Sequence, residues 1–126
     1  MTLAMISINL RDSRPIYEQV KDAFRRLIIS GALTPEEKLP SVRELAAQLV
    51  INPNTIQRAY RELEAEGYIS SIPGKGSFAC AKSSIDDSRV RELLKVFDDS
   101  VTELLFLGKS PGELKSRIDG KGDAQK

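Results

Sequence analysis

Apolar residues recur every three or four positions along the first third of the chain, which is the spacing of an amphipathic helix. The first such stretch lies between Pro15 and Gly31. Proline suits the first turn of a helix and glycine suits its end, so a helix is predicted between these residues. Its inward face carries Ile16, Val20, Phe24, Leu27 and Ile28.

A second, shorter helix is predicted over "SVRELAAQL". Ser41 is its N-cap, and Glu44 follows three residues later, which is the spacing of a capping box. The preceding segment, "GALTPEEKLP", contains two prolines and an initial glycine, so it is predicted to be a connecting loop. The apolar positions of the helix are Val42, Leu45, Ala46 and Leu49.

A third helix follows after a very short connection, which is typical of a helix-turn-helix corner. Asn52 is the predicted N-cap, and Pro53 the first helical residue, since proline lacks the N–H that would be unpaired there. Its inward face is formed by residues at positions i, i+3, i+4 and i+7, namely Ile56, Ala59, Tyr60 and Leu63.

The outward face of the third helix is polar and lacks acidic residues in its N-terminal half. Such side chains can pair with base edges, and a recognition helix presents its N-terminal residues to the major groove. A capped surface helix with a solvated polar face would have the same pattern, so both interpretations remain open here. The candidate reading residues are Asn54, Thr55, Gln57, Arg58 and Arg61.

A small β-hairpin is predicted next, from two short runs at residues 68–72 and 77–80. The turn between them contains Gly74 and Gly76, which allow positive φ, and Lys75, which can meet a phosphate. The "GKG" sequence lacks the strand and the spacing of a nucleotide-binding loop. Three helices followed by a hairpin describe a winged helix-turn-helix domain.

The composition argues against an enzyme. The chain has no histidine and one cysteine, Cys80, so it offers no Ser-His-Asp or Cys-His pair and no ordinary zinc site. We therefore expect no catalytic residue, metal or cofactor. No stretch is apolar enough for a membrane span, and the first residues are a poor signal peptide, so a cytoplasmic location is expected.

The net charge is only +1. Residues 1–81 contain ten Lys and Arg against nine Asp and Glu. This balance is less basic than is usual for a DNA-binding domain, so binding must depend on where the charges lie.

The remaining residues predict two helices separated by Gly108, the first with a broad apolar stripe. Two helices cannot enclose a typical ligand pocket, but they can pair with a second copy. Folding back onto the first domain is the alternative. We predict a winged domain over 1–81, a dimerisation region over 82–119 and a disordered tail over 120–126. The predicted dimer contacts are Leu94, Phe97, Val101 and Leu104.

Four segments in this order and spacing, "PIYEQV", "GALTPEEKLPSVRELAAQL", "NPNTIQRAYRELEAEGYI" and "GKGSF", resemble the DNA-binding domain of GntR-family transcriptional regulators. The opening "ISINLRDSRPIYEQV" and the short helical tail are similar to the YtrA subfamily. The chain departs from the common family pattern at Glu36, where a glycine is frequent, and at Ile72 and Pro73, where arginines are frequent.

The resemblance implies a mainly α-helical protein with a small β-hairpin that binds double-stranded DNA. By position, Arg43 matches an arginine that contacts DNA in the family, and Gly74 with Lys75 matches the tip of the wing. Recognition-helix positions correspond to Asn52, Asn54, Thr55, Gln57 and Arg58.

These observations predict a homodimer that binds a pseudo-palindromic operator, and the family resemblance implies that it acts as a repressor. The alternative is a winged-helix module that docks on protein and does not read DNA. The sequence indicates neither the operator nor the existence of a small-molecule effector.

Overall fold

The computed structural model describes residues 6–82, 85 and 87–124. The chain divides into two compact units, Met1–Asp86 and Asp87–Lys126. The described part of the first unit contains α1 (Ile16–Ser30), α2 (Val42–Leu49), α3 (Pro53–Glu66), β1 (Ile69–Ile72) and β2 (Gly76–Ala79), and the second contains α4 (Asp87–Phe106) and α5 (Pro111–Ala124). The prediction of a mainly helical protein with one small hairpin is confirmed.

The helix ends follow the capping residues that the sequence predicts. Gly31 ends α1 with a φ of 84°. The Ser41 side chain accepts a hydrogen bond from the Glu44 N–H, and the Glu44 side chain accepts one from the Ser41 N–H, which completes the capping box of α2. Each of these contacts joins residues close in sequence, which is why the pattern alone predicts them.

The core of the first unit is formed where α1 and α2 pack against α3. The inward face of α3 is fully buried, as predicted, and the aromatic ring of Tyr60 meets that of Phe24 edge to face with 5.5 Å between centroids. Ile16 and Ile28 of α1 are only half-buried and border the core. The largest fully buried side chains are Phe24, Leu39, Leu45, Ile56, Leu63, Ile69 and Val20.

A layer of charged residues joins α1 to α3 beside this core. Lys21 is buried, and its Nζ lies 2.7 Å from the Glu62 carboxylate and 2.8 Å from that of Glu66. Arg25 donates to Glu66 at 2.8 Å and to Asp22 at 2.6 Å. A buried lysine is tolerated only where carboxylates meet it, so this network fixes α3 against α1.

The segment before α2 is more ordered than the predicted loop. The Glu36 N–H donates to the Ala79 carbonyl at 2.7 Å, and the Leu39 N–H donates to the Ser77 carbonyl at 2.8 Å. Residues 36–39 therefore lie beside β2, on the edge opposite β1. A loop is predicted because two prolines bound this segment. Its pairing with β2 depends on residues about forty positions later in the chain, which the local sequence does not indicate.

The second unit is a pair of helices joined at Gly108, which has a φ of 100°. Ser110 caps α5, because its hydroxyl accepts the Glu113 N–H at 3.2 Å. The helix continues beyond residue 119, where the sequence places the end of the helical region, and residues 125 and 126 lie outside the described residues. None of the described helices has the length and apolar character needed to cross a bilayer.

Candidate nucleic-acid interface

The N-terminal end of α3 is held by a side-chain cap. The Asn52 Oδ1 accepts the Asn54 N–H at 2.8 Å, and Pro53 occupies the first helical turn. Because the Asn52 oxygen satisfies a helix N–H, the N-cap prediction for this residue is confirmed, while its DNA contact stays a prediction. The cap fixes the start of α3, and the first turn of this helix contains no acidic residue.

The predicted reading residues lie on the outward side of α3. Asn54, Gln57, Arg58 and Arg61 are exposed, and Thr55 is half-buried at the edge of the core. The structure therefore places four of the five side chains where a polyanion can approach, with Thr55 at the margin of the same surface.

Arg43 of α2 lies beside the start of this surface. It borders a shallow groove that is also lined by Val50 and Pro53, the latter being the first residue of α3. Val50 caps the C-terminus of α2 in the left-handed conformation, with a φ of 55°, and is 88% exposed. The short connection between α2 and α3 thus brings the predicted contact from α2 next to the recognition helix.

The tip of the hairpin has the conformation that its glycines predict. The Lys75 N–H donates to the Ile72 carbonyl at 2.9 Å, and Gly74 has a φ of 76°. Proline at the second position of a turn and glycine with positive φ at the third are the features of a type II turn. The Lys75 side chain is exposed at this tip.

A second cation, Lys38, lies beside the hairpin and was not among the predicted site residues. A Cβ added at Gly76 would lie 2.9 Å from the Lys38 Cε, so the lysine side chain crosses the backbone of the wing. The family resemblance draws attention to Gly74 and Lys75. It gives no indication that residues 36–39 would lie beside β2, and the sequence alone carries no other signal for Lys38.

Arg58 differs from the other predicted reading residues because it is held on two sides. Its guanidinium carbon lies 3.7 Å from the centre of the Tyr17 ring. Its Nε donates to the Glu62 carboxylate at 3.0 Å, and half of the side chain, 52%, remains exposed. The sequence predicts the outward position of Arg58, but not the aromatic ring of α1 beneath it.

Two of the three acidic residues of α3, Glu62 and Glu66, are engaged by neighbouring cations, whereas the third, Glu64, accepts the Ser71 N–H at 2.6 Å. The hydrogen bond from Lys21 lowers the pKa of the Glu62 carboxyl. Burial acts to raise the pKa of Glu66, but hydrogen bonds from Lys21 and Arg25 outweigh it, so this pKa is also lowered. These carboxylates are ionised and paired at neutral pH, which limits their repulsion of a polyanion.

Several cations around α3 have no such partner. Within residues 6–82, no carboxylate lies within ion-pair distance of Lys38, Arg43, Arg61 or Lys75. The ion-paired carboxylates of the first unit lie on or next to α1 and on α3, while α2, α3 and the wing region also present cations without an ion pair.

The predicted dimer contacts lie along α4 in the second unit. Leu94 and Phe97 are 55% and 47% exposed, and Val101 and Leu104 are half-buried. No described residue of α4 is buried. Their helical spacing places all four on one side of α4, where Val90 and Leu105 extend the same apolar stripe.

Comparison with known proteins agrees with this geometry. Residues 16–78 match the family described as "Bacterial regulatory proteins, gntR family". The "HTH-type transcriptional repressor YtrA" of Bacillus subtilis (strain 168) is 43% identical over 96 residues, which cover 72% of this chain and 74% of that protein.

Two solved structures extend the comparison to the fold. A "Transcriptional Antiterminator from Listeria monocytogenes EGD-e" has a TM-score of 0.86 at 29% identity, covering 98% of this chain and 94% of that chain. The DNA-binding domain of AraR, solved in complex with operator ORX1, has a TM-score of 0.55 at 28% identity, covering 60% of this chain and 96% of that domain.

Proposed function

This chain belongs to the GntR family of bacterial regulatory proteins, and we propose that it represses transcription as a homodimer bound to a pseudo-palindromic operator. It is a DNA-binding regulator of the YtrA type and not an enzyme. The observation that carries the proposal is the outward face of α3. Exposed amide and guanidinium groups, with no acidic residue in the first turn, can pair with base edges in the major groove.

The cations around α3 support this assignment. Arg43 from α2, Lys75 at the wing tip and Lys38 beside the wing supply positive charge from three parts of the first unit. Phosphate contacts of this kind set the position of a protein on the duplex, while side chains on the recognition helix supply specificity. The AraR domain, which shares this fold, was solved on an operator and supports the same use of the surface.

The second unit supports the proposed homodimer. The apolar stripe of α4 has no buried member among the described residues, so this unit forms no core of its own. Burying the stripe against a second copy would remove apolar surface from water, which is favourable by about 25 cal/mol per Å². A two-fold symmetric dimer would offer two recognition helices, which matches an operator with two half-sites about one DNA turn apart.

Repression is the regulatory outcome that we assign, because a dimer that covers promoter DNA excludes other proteins from it. The similarity to the YtrA repressor supports that assignment. A cytoplasmic location follows from the same role, since the operator lies in cytoplasmic DNA. No effector is assigned.

Selection of bound sequences from random duplex DNA by the purified chain tests the proposal. We expect enrichment of an inverted repeat with half-sites about one helical turn apart. Equal recovery of all sequences, or no recovery at low salt, would contradict DNA reading and favour a module that docks on protein.

A further inference from the structure

Tyr17 and Arg58 form a contact between the first turn of α1 and the outward face of α3. The guanidinium carbon lies 3.7 Å from the ring centre, within the distance at which a cation is attracted to the face of an aromatic ring. Tyr17 is half-buried and borders the core, so its ring is supported from behind. The contact therefore joins a fixed ring to a side chain that would otherwise be mobile.

Glu62 completes the restraint from within α3. It accepts the hydrogen bond from the Arg58 Nε at 3.0 Å, and it is itself bonded to Lys21 at 2.7 Å. The Tyr17 ring thus contacts the flat face of the guanidinium, whereas the Glu62 carboxylate holds its Nε. Among the described residues, Gln57 and Arg61 have no comparable pair of side-chain partners.

We infer that Tyr17 is a positioning residue for sequence readout: it orients the Arg58 guanidinium before DNA arrives. This inference rests on the proposed DNA-reading function. Bidentate pairing with a guanine requires the guanidinium to lie in the plane of the base edge. An arginine loses considerable rotamer freedom when it is fixed, so a side chain already held on a ring loses less on binding.

The test uses the full chain and compares Tyr17→Leu, which removes the ring, with Tyr17→Phe, which keeps it. Affinity is measured at fixed salt on the selected operator, on duplexes with single-base changes, and on a shuffled duplex. Arg58→Ala first identifies the base that Arg58 reads. We expect Tyr17→Leu to reduce discrimination at that same base by roughly 5-fold or more, with little change on shuffled DNA. Tyr17→Phe should retain discrimination.

A double variant and a modified ring make the test specific. Adding Tyr17→Leu to Arg58→Ala should cause no further loss at that base, because the group that Tyr17 positions is absent. Pentafluorophenylalanine at position 17 keeps the shape of a phenyl ring but reverses the charge of its face, so it should reduce discrimination relative to Tyr17→Phe. This comparison remains available if Tyr17→Leu does not fold.

The outcomes separate this inference from the proposed function. If the wild-type chain fails to distinguish DNA sequences, the proposed function itself is wrong. If it does distinguish them, the inference is overturned by any of three results: Tyr17→Leu that discriminates as the wild type does, equal loss on every duplex, or tighter binding. Tighter binding would mean that Tyr17 holds Arg58 away from DNA.

Discussion

The hydroxyl of Tyr60 donates a hydrogen bond of 2.8 Å to the backbone carbonyl of Pro40, which joins the recognition helix to the residue before α2. Both residues are buried. Burial raises the pKa of the Tyr60 hydroxyl, so the group remains a donor throughout the neutral range. The bond ties α3 to the segment that also lies beside the hairpin.

Tyr60→Phe is therefore expected to destabilise the first unit. The substitution keeps the ring that meets Phe24 but leaves the Pro40 carbonyl without its partner, at a cost of roughly 1 to 3 kcal/mol. Urea unfolding followed by circular dichroism measures this loss. Tyr17→Phe is the matched control, because Tyr17 is half-buried and its hydroxyl has only a 3.3 Å contact with Glu18. Equal stability of Tyr60→Phe and wild type would show that the bond contributes nothing.

The charged layer between α1 and α3 predicts an acid-sensitive fold. Glu62 and Glu66 have pKa values lowered below their usual 4.5. A carboxyl whose pKa is lower in the folded chain stabilises the fold above its unfolded pKa, and this contribution is lost as the pH falls through the folded pKa. The free energy of unfolding should therefore decrease as the pH falls below about 4.5.

Glu66→Gln tests the contribution of one carboxylate. Because Lys21 is buried and loses a charged partner, stability at pH 7 should fall by roughly 1 to 3 kcal/mol. The decrease between pH 7 and pH 3 should become shallower, since one group with a lowered pKa is absent. Glu103→Gln on α4 is the control, because Glu103 is exposed and has no ion pair among the described residues. An unchanged acid profile in Glu66→Gln would contradict the assignment.

At two exposed residues with positive φ, substitution by glycine is predicted to increase the stability of the chain. Val50 and Glu36 have φ angles of 55° and 72° and are exposed. The left-handed conformation costs a residue with a Cβ about 1 to 2 kcal/mol, whereas glycine adopts it readily but loses more backbone entropy on folding. Val50→Gly and Glu36→Gly should each stabilise the chain by roughly 0.5 to 1 kcal/mol.

The matched control for these substitutions is Ala47→Gly, at an exposed position inside α2. It should destabilise the chain by about 1 kcal/mol, because glycine is unfavourable within a helix. Thermal unfolding of the three variants gives the comparison. If Val50→Gly also lowered the melting temperature, the left-handed cap would not be a source of strain.

The apolar stripe of α4 in the second unit predicts a dimer that charged substitutions can dissociate. Phe97→Asp combined with Val101→Lys would place charges in the apolar stripe of α4, and we expect a monomer with a folded first unit. Binding to a full operator should then weaken by 10²-fold or more, because two linked half-sites are no longer engaged together. Val96→Asp, outside the stripe, is the control and should remain dimeric. Sedimentation measures the oligomeric state of each variant. If the double variant remained dimeric, the apolar stripe of α4 would not form the dimer contact, and the alternative, in which the second unit folds back onto the first, would remain.

Local contacts explain why much of the fold could be predicted from sequence. The capping box at Ser41 and Glu44 and the cap at Asn52 join residues two or three positions apart, so spacing alone indicates them. The inward face of α3 follows from a single helical period. The same reasoning placed Asn54 and Arg58 on its outward side, and both are exposed.

Features that sequence reasoning missed depend on distant residues. Lys21 is buried because Glu62 and Glu66 meet it from α3, 41 and 45 positions away. The ring of Tyr17 reaches Arg58, and Lys38 reaches Gly76, only once the helices and the hairpin have packed. A polar residue at a buried position carries no local signal of its partner, so these contacts required the structure.

One ratio tests whether the outward face of α3 reads base sequence: the affinity for the selected operator divided by that for a shuffled duplex of equal length, at fixed salt. We predict about 10³ or more for the wild type. Asn54→Ala should lower this ratio roughly tenfold, since a base contact is lost. Arg43→Ala should weaken binding to both duplexes alike, as expected for a phosphate contact. A wild-type ratio near one would show that this face of α3 does not read base sequence.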